Sequence, residues 1–277
     1  MESARRSISL AVGVAIALIA TFGISAPAQA APAPPPASMA AIGDSITQAM
    51  DTCGYRDCPQ YSWSTGTASS VNSHASRLRA AGATTLVTYN DAVSSAKSAG
   101  LAAQAQRAVT QAVGHVTVQI GANDACTRTV AEMTPATTFE VNVKAALTQL
   151  SKGLPTATVF VASIPNIKRM WELGKGKSSA RLIWGLAKIC QSMLANPTST
   201  TVADTARRDA VQQRVNEYNA ALARVCAAFA KCRFDGNVVA TFAFASTHIS
   251  TLDYFHPSVA GQAKLSEITW PKTPYGG

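Results

Sequence analysis

Charge is scarce in this chain: 14% of its 277 residues are Asp, Glu, Lys or Arg, against 47% hydrophobic. That balance suits one sizeable buried core, and the length is too short for two comfortable domains. Aromatic residues are fewer still, at 6%, and Lys and Arg are scattered, so nothing interleaves rings with positive charge as a nucleic-acid surface would. The shortage of acid leaves a net charge of +9. With nucleic acid set aside as a partner, that excess points to a solvated surface drawn to anionic envelopes or lipids. Cysteines at two-residue spacing with nearby histidines are missing, which argues against a zinc site; no metal or organic cofactor is expected. There is no internal repeat, and the chain is read as a monomer.

What is present begins with an apolar run over residues 8–24, preceded by Arg5 and Arg6 and followed by Ala28-Gln29-Ala30. The run approaches the length of a transmembrane anchor. The small-residue exit and the Pro-rich stretch behind it favour a signal peptide over residues 1–30, cleaved near Ala30. The protein is therefore expected to be secreted and extracellular. Residues 31–37, Ala-Pro-Ala-Pro-Pro-Pro-Ala, cannot build helix or central strand and read as an extended tether before a folded domain over 38–277. Export also accounts for the six cysteines, an even set that an oxidising compartment would pair. The close pairs Cys53/Cys58 and Cys226/Cys232 suggest two local loops, which leaves Cys126 with Cys190.

Runs rich in Val, Thr, Ile and Phe predict five strands, over 38–43, 85–89, 115–120, 157–162 and 238–244. Between them, 97–113, 136–150 and 204–230 carry apolar residues at helical spacing, and 258–268 supplies a last amphipathic segment. Alternation of strand and helix puts a parallel sheet between helical layers, because parallel neighbours need crossover connections. The expected fold is α/β, a three-layer α/β/α sandwich with a flavodoxin-like five-stranded parallel sheet. Ligands of such sheets bind at the carboxyl ends of the strands, so the polar residues that follow strands are the ones to inspect.

Three clusters stand there. The first strand runs into Gly43-Asp44-Ser45, which puts a hydroxyl where the chain turns towards a helix, whose amides favour a developing oxyanion. Taken alone, Ser45 reads as well as a helix cap. The third strand runs into Gly121-Ala122-Asn123-Asp124, where an Asn amide could donate to a tetrahedral intermediate, although an Asx turn is the commoner use of such residues. The last cluster is Asp253-Tyr254-Phe255-His256, just ahead of the final helix. A carboxylate bonded to one imidazole nitrogen fixes the tautomer and leaves the other free to take a proton from a serine. His74, His115 and His248 lack such company and read as surface or packing residues.

In this order the clusters resemble the conserved blocks of the SGNH hydrolases, the GDSL-like lipases and esterases, over 42–256. The resemblance implies a serine hydrolase of carboxylic esters, with Ser45 as nucleophile and Asp253 and His256 completing the triad. It implies an oxyanion hole made of the Ser45 and Ser95 amides and the Asn123 side chain. Ser95 enters by aligning Asn90, Ala92 and Ser94 with the family's Asn-x-Ala-x-Ser-Gly block, which places a serine where the family has glycine. If that site needs positive φ, the serine must bear strain; Gly100 is the fallback donor. The stretch 167–194 is basic and apolar, with Lys168, Arg169, Lys175, Lys177, Arg181 and Lys188 facing only Glu172. It reads as an acyl-binding wall, a lid that meets lipid, or a surface helix tied down by Cys190. A fatty acyl ester is the favoured substrate. The alternatives are a carbohydrate O-acetyl esterase and a non-catalytic envelope-binding protein of the same fold.

Overall fold

The computed structural model describes residues 33–276; the signal-peptide reading of 1–30 lies outside them. Five parallel strands, β1 (Ser38–Gly43), β2 (Val87–Asn90), β3 (His115–Gln119), β4 (Thr158–Val161) and β5 (Cys232–Phe234), form one sheet in the order β2-β1-β3-β4-β5. The helices are α1 (His74–Ala80), α2 (Leu101–Thr110), α3 (Ala122–Ala125), α4 (Ala136–Gly153), α5 (Ile167–Gly174), α6 (Ser178–Leu186), α7 (Gln191–Leu194), α8 (Val202–Ala227), α9 (Val238–Thr241) and α10 (Val259–Thr269). The α/β sandwich expected from the alternation is the one observed.

The two sides of the sheet differ in chemistry because strand residues alternate between them. Val116 and Val118 of β3 join the large aliphatic core with Leu101 and Ala105 of α2 and Phe139, Val143 and Leu147 of α4. On α8 the buried residues Val211, Val215, Tyr218, Leu222 and Val225 recur every three or four positions, the spacing that keeps one face inward. The alternate β3 residues His115 and Thr117 meet polar partners instead. Thr117 Oγ1 lies 2.6 Å from Ser64 Oγ, and His115 Nδ1 lies 2.8 Å from Thr158 Oγ1. On α1, His74 Nε2 reaches Thr269 Oγ1 of α10 at 2.8 Å. His74 and His115 are therefore packing residues; burial holds His115 down to about 4 and His74 well below its usual value.

One strand is misplaced by the sequence reading. The fifth strand is Cys232–Phe234, and Val238–Thr241 is a single helical turn. The β-branched residues of 238–244 made that segment look extended, but its amides are claimed by side chains. Asp235 accepts from the amides of Asn237 at 2.8 Å and Val239 at 3.3 Å, and Ser163 Oγ accepts from Ala240 at 3.0 Å. The true strand is three residues long at the sheet edge, too short to show an alternation. Its approach is fixed by the Cys226–Cys232 disulfide at the end of α8. Helix α1 has no counterpart in the sequence reading, and 167–194, for which a surface helix was one reading, holds three helices.

All six cysteines pair as their spacing suggested: Cys53–Cys58, Cys126–Cys190 and Cys226–Cys232. The Pro-rich residues ahead of β1 lie along the domain, since the Ala33 amide donates to Pro274 O at 3.1 Å. Among the described residues no helix is long and apolar enough to cross a membrane.

Candidate active site

Strands β1 and β3 are neighbours, with Gly43 opposite Gln119, so the segments that follow them share one rim. Gly43 can only be glycine: its φ is 150°, and a Cβ there would stand 2.1 Å from Gln119 O. Gln104 of α2 clamps this point from both sides, accepting from Gly43 N at 2.7 Å and donating to Gly43 O at 2.9 Å. Ser45 follows at 7% exposure, more sheltered than a strand-end hydroxyl is expected to be. No regular helix succeeds it. The Gln48 amide closes one turn on Asp44 O, and positive φ at Ala49 and Asp51 stops the turn from propagating. The helix dipole expected behind Ser45 is thus reduced to local amides.

The last cluster folds against this turn. His256 Nε2 lies 2.8 Å from Ser45 Oγ, and His256 Nδ1 lies 2.5 Å from Asp253 Oδ2. Asp253 Oδ1 accepts from the amides of Phe255 at 2.9 Å and His256 at 3.0 Å. Tyr254, at φ 57°, makes the tight bend that lets acid and imidazole meet. Burial alone would raise the Asp253 carboxyl, but the bond and charge of His256 and these two amides together hold it below its usual range. Burial likewise lowers His256, and it is outweighed by Asp253, Asp51 and Asp44, which raise the imidazole above its ordinary value. An imidazole so placed can accept the Ser45 proton and be stabilised as imidazolium.

The oxyanion donors that the resemblance implies lie on two other loops. Gly121, at φ 121°, brings the chain against Ile164 and Phe139, where a Cβ would clash at 2.5 and 2.9 Å. Asn123 then faces the cleft beside Ser45, one amide hydrogen spent on Ala96 O at 3.0 Å. Asp124 serves structure: it accepts from Ser98 N at 2.8 Å and Ser98 Oγ at 2.7 Å, stitching α3 to the loop before α2. The Ser45 and Ser95 amides have no acceptor among the described residues. The Gly100 amide is already bonded to Lys97 O at 2.9 Å, which removes the fallback donor.

With this geometry in place, the profile of the GDSL-like lipase/acylhydrolase family matches residues 41–264. The chain belongs to that family. It is a carboxylic ester hydrolase of the GDSL type, and solved structures agree on the fold. An α/β hydrolase from the metagenome of Lake Arreo, LAE5, superposes with a TM-score of 0.55 at 15% identity, covering 87% of this chain and 96% of that one. An extracellular lipase of Streptomyces rimosus gives 0.51 at 18% identity, covering 85% and 99%. Phospholipase A1 of Streptomyces albidoflavus gives 0.50 at 16%, covering 88% and 100%. No curated protein matches the chain.

This GDSL hydrolase bears the strain that its serine implies: Ser95 has φ 66°. A non-glycine residue in that region costs about 1–3 kcal/mol, partly offset because glycine would lose more entropy on folding. Ser95→Gly is therefore expected to stabilise the protein by about 1 kcal/mol, a rise of roughly 2–4 °C in Tm, with kcat within about threefold because the backbone amide is kept. A melting curve and an esterase assay decide it, and an unchanged or lower Tm counts against the strain.

Two further side chains stand beside the Ser45–His256–Asp253 hydrogen bonds: His248, which the sequence reading took for a surface or packing residue, and Trp184. His248 lines the cleft beside Ser45, with Nδ1 accepting from Ala245 N at 3.1 Å. Trp184 of α6, fully buried, donates from Nε1 to Asp253 O at 3.1 Å. That bond fastens α6 to the backbone of Asp253. Arg169 Nε also holds Phe244 O at 3.0 Å, Trp171 Nε1 holds Pro197 O at 2.8 Å, and Cys190 is bridged to Cys126. From this stretch Ile167 and Met170 line the cleft.

Proposed function

We propose that this hydrolase is a secreted esterase or lipase that cleaves fatty acyl esters through an acyl-enzyme on Ser45. The observation that carries the reading is the cleft that opens beside the bonded Ser45–His256 pair. Its walls are apolar: Ile46, Ile167, Met170, Phe244, Phe255 and Leu265. An acyl chain gains about 0.8 kcal/mol for each methylene it buries in such a place. Ser45 Oγ attacks the ester carbonyl as His256 Nε2 takes its proton. The Ser45 and Ser95 amides and Asn123 receive the oxyanion, and His256 returns the proton to the leaving alkoxide. Water then repeats the sequence to release the acid.

The outer surface supports contact with anionic lipid. On α6, Leu182 and Leu186 are 62% and 75% exposed, and Lys175, Lys177, Arg181 and Lys188 flank them in sequence. Exposed apolar side chains in a basic stretch suit a lipid–water boundary. The three disulfides fit an oxidising compartment.

A second reading rests on the narrowness of the cleft, which suits a short acyl group such as acetyl better than a long chain. Nitrophenyl esters from acetate to palmitate separate the two. The fatty acyl reading expects kcat/KM to rise by roughly two- to fourfold per added methylene through the middle of the series. A maximum at acetate followed by steady decline sinks it in favour of a deacetylase. Offering the longer esters in anionic vesicles to protein carrying Lys175→Glu and Lys177→Glu tests the surface: equal rates with the parent remove the lipid contact.

A further inference from the structure

His256 faces a second carboxyl group. Asp51 Oδ2 stands 3.9 Å from His256 Nδ1, on the same side of the ring as Asp253, and one side-chain atom from each of the three residues lies within 4.8 Å of the other two. Asp51 is 6% exposed, and its Oδ1 is buried with no hydrogen-bond partner. Its backbone sits at φ 60°. A buried, incompletely bonded carboxyl group on strained backbone is unfavourable three times over.

The chain nevertheless secures it. The Asp51 amide donates to Arg56 O at 3.0 Å across the loop that the Cys53–Cys58 disulfide closes. Ser250 Oγ donates to Asp51 O at 2.7 Å, and the Ser250 amide donates to His256 O at 2.8 Å. One residue thus ties the Asp51 loop to the bend that carries Asp253 and His256.

We propose that Asp51 is a positioning residue of the ester hydrolysis, a second negative charge held beside His256 Nδ1 that stabilises the imidazolium formed when Ser45 attacks. The proposal rests on the reading of Ser45 and His256 as nucleophile and base. No proton passes to Asp51 in the step: the Ser45 proton goes to Nε2, and the Nδ1 proton stays in its bond to Asp253. The groups around the pair are few. Asp51 faces Asp253, His256 and, from its own loop, Asp57; His256 faces Asp253, Asp51 and Asp44; Lys177 lines the open groove beyond Asp51. Burial first, then the charge of Asp253, push the Asp51 carboxyl up to about 6. Above that pH Asp51 is ionised and favours the protonated imidazole. The base must be neutral to accept a proton, so this charge moves the acid limb of activity towards higher pH.

Asp51→Asn removes the charge and keeps the shape. The acid limb of kcat/KM is expected to fall by about one pH unit and plateau kcat by about tenfold, with KM within about twofold. In the Ser45→Ala background, the NMR titration of the His256 ring should move down with the same substitution by the same amount. A plateau loss with limb and ring titration unmoved overturns the proposal and leaves Asp51 a structural residue. Should Asp51→Asn fail to fold, the carboxyl carbon of Asp51 in the Ser45→Ala protein decides: an ionisation that shifts the His256 ring titration supports the role, and one that His256 does not sense overturns it. A protein whose histidine titrates as expected but whose Ser45 takes up no fluorophosphonate overturns the underlying hydrolase reading, and the proposal with it, by a different signature.

Discussion

Ser45→Ala is expected to lower kcat by roughly 10⁶-fold, and adding His256→Ala to it is expected to cost almost nothing more. The two side chains act as one unit. With no Oγ to attack the carbonyl, a base 2.8 Å away has no proton to take. With no base, a hydroxyl at neutral pH is a poor nucleophile. What survives is whatever the oxyanion donors do for a bound ester attacked by water, roughly 10³- to 10⁴-fold over solution. A fluorophosphonate probe reports the same unit without turnover. It should bond to Ser45 Oγ in the parent, as mass spectrometry of the labelled peptide would locate, and should leave both variants unlabelled. A Ser45→Ala protein retaining more than about one hundredth of parental kcat, or probe found on another residue, would sink the assignment.

The reach of the sequence over this site follows from how each part is built. Gly43, Ser45, Gly121, Asn123, Asp253 and His256 were legible because each stands in a short block at the end of a strand or ahead of a helix, where the residue types state their own geometry. Strands β1 and β4 were legible because they are buried and read as largely apolar runs, and β3 because Val116, Thr117 and Val118 are β-branched. Strand β5 was not, since three residues cannot show a period and a disulfide positions them. Asp51 was hidden for a related reason. It lies in a loop whose course depends on positive φ at Ala49 and Asp51 and on a cross-link, none of which has a sequence pattern. The Trp184 bond to Asp253 O spans 69 positions and uses a backbone acceptor, which no sequence marks. Ser95 is the informative intermediate case. Its place was readable from the neighbouring block, and so was the conformational question, but its answer, a strained serine, needed the backbone.

The second large effect concerns the scaffold. Removing the Cys126–Cys190 bridge by Cys126→Ala with Cys190→Ala is expected to cost about 4 kcal/mol, because the bridge closes a loop of 64 positions and the denatured chain regains that freedom. The local bridges close 5 and 6 positions, for which the same relation gives about 2 kcal/mol each. The long bridge is therefore the dominant cross-link, and its loss should lower Tm by roughly 8–16 °C, measured under non-reducing conditions beside the parent. Its consequence extends to the cleft. Cys126 caps α3, the turn that carries Asn123, while Cys190 ends the segment in which Trp184 holds Asp253 O. The bridge thus joins the turn of Asn123, the proposed oxyanion donor, to the support of Asp253, and turnover at temperatures well below the new Tm should fall along with stability. A doubly substituted protein that melts within about 2 °C of the parent would show that the packing of Trp184 and Met193 holds this wall without help from the bridge.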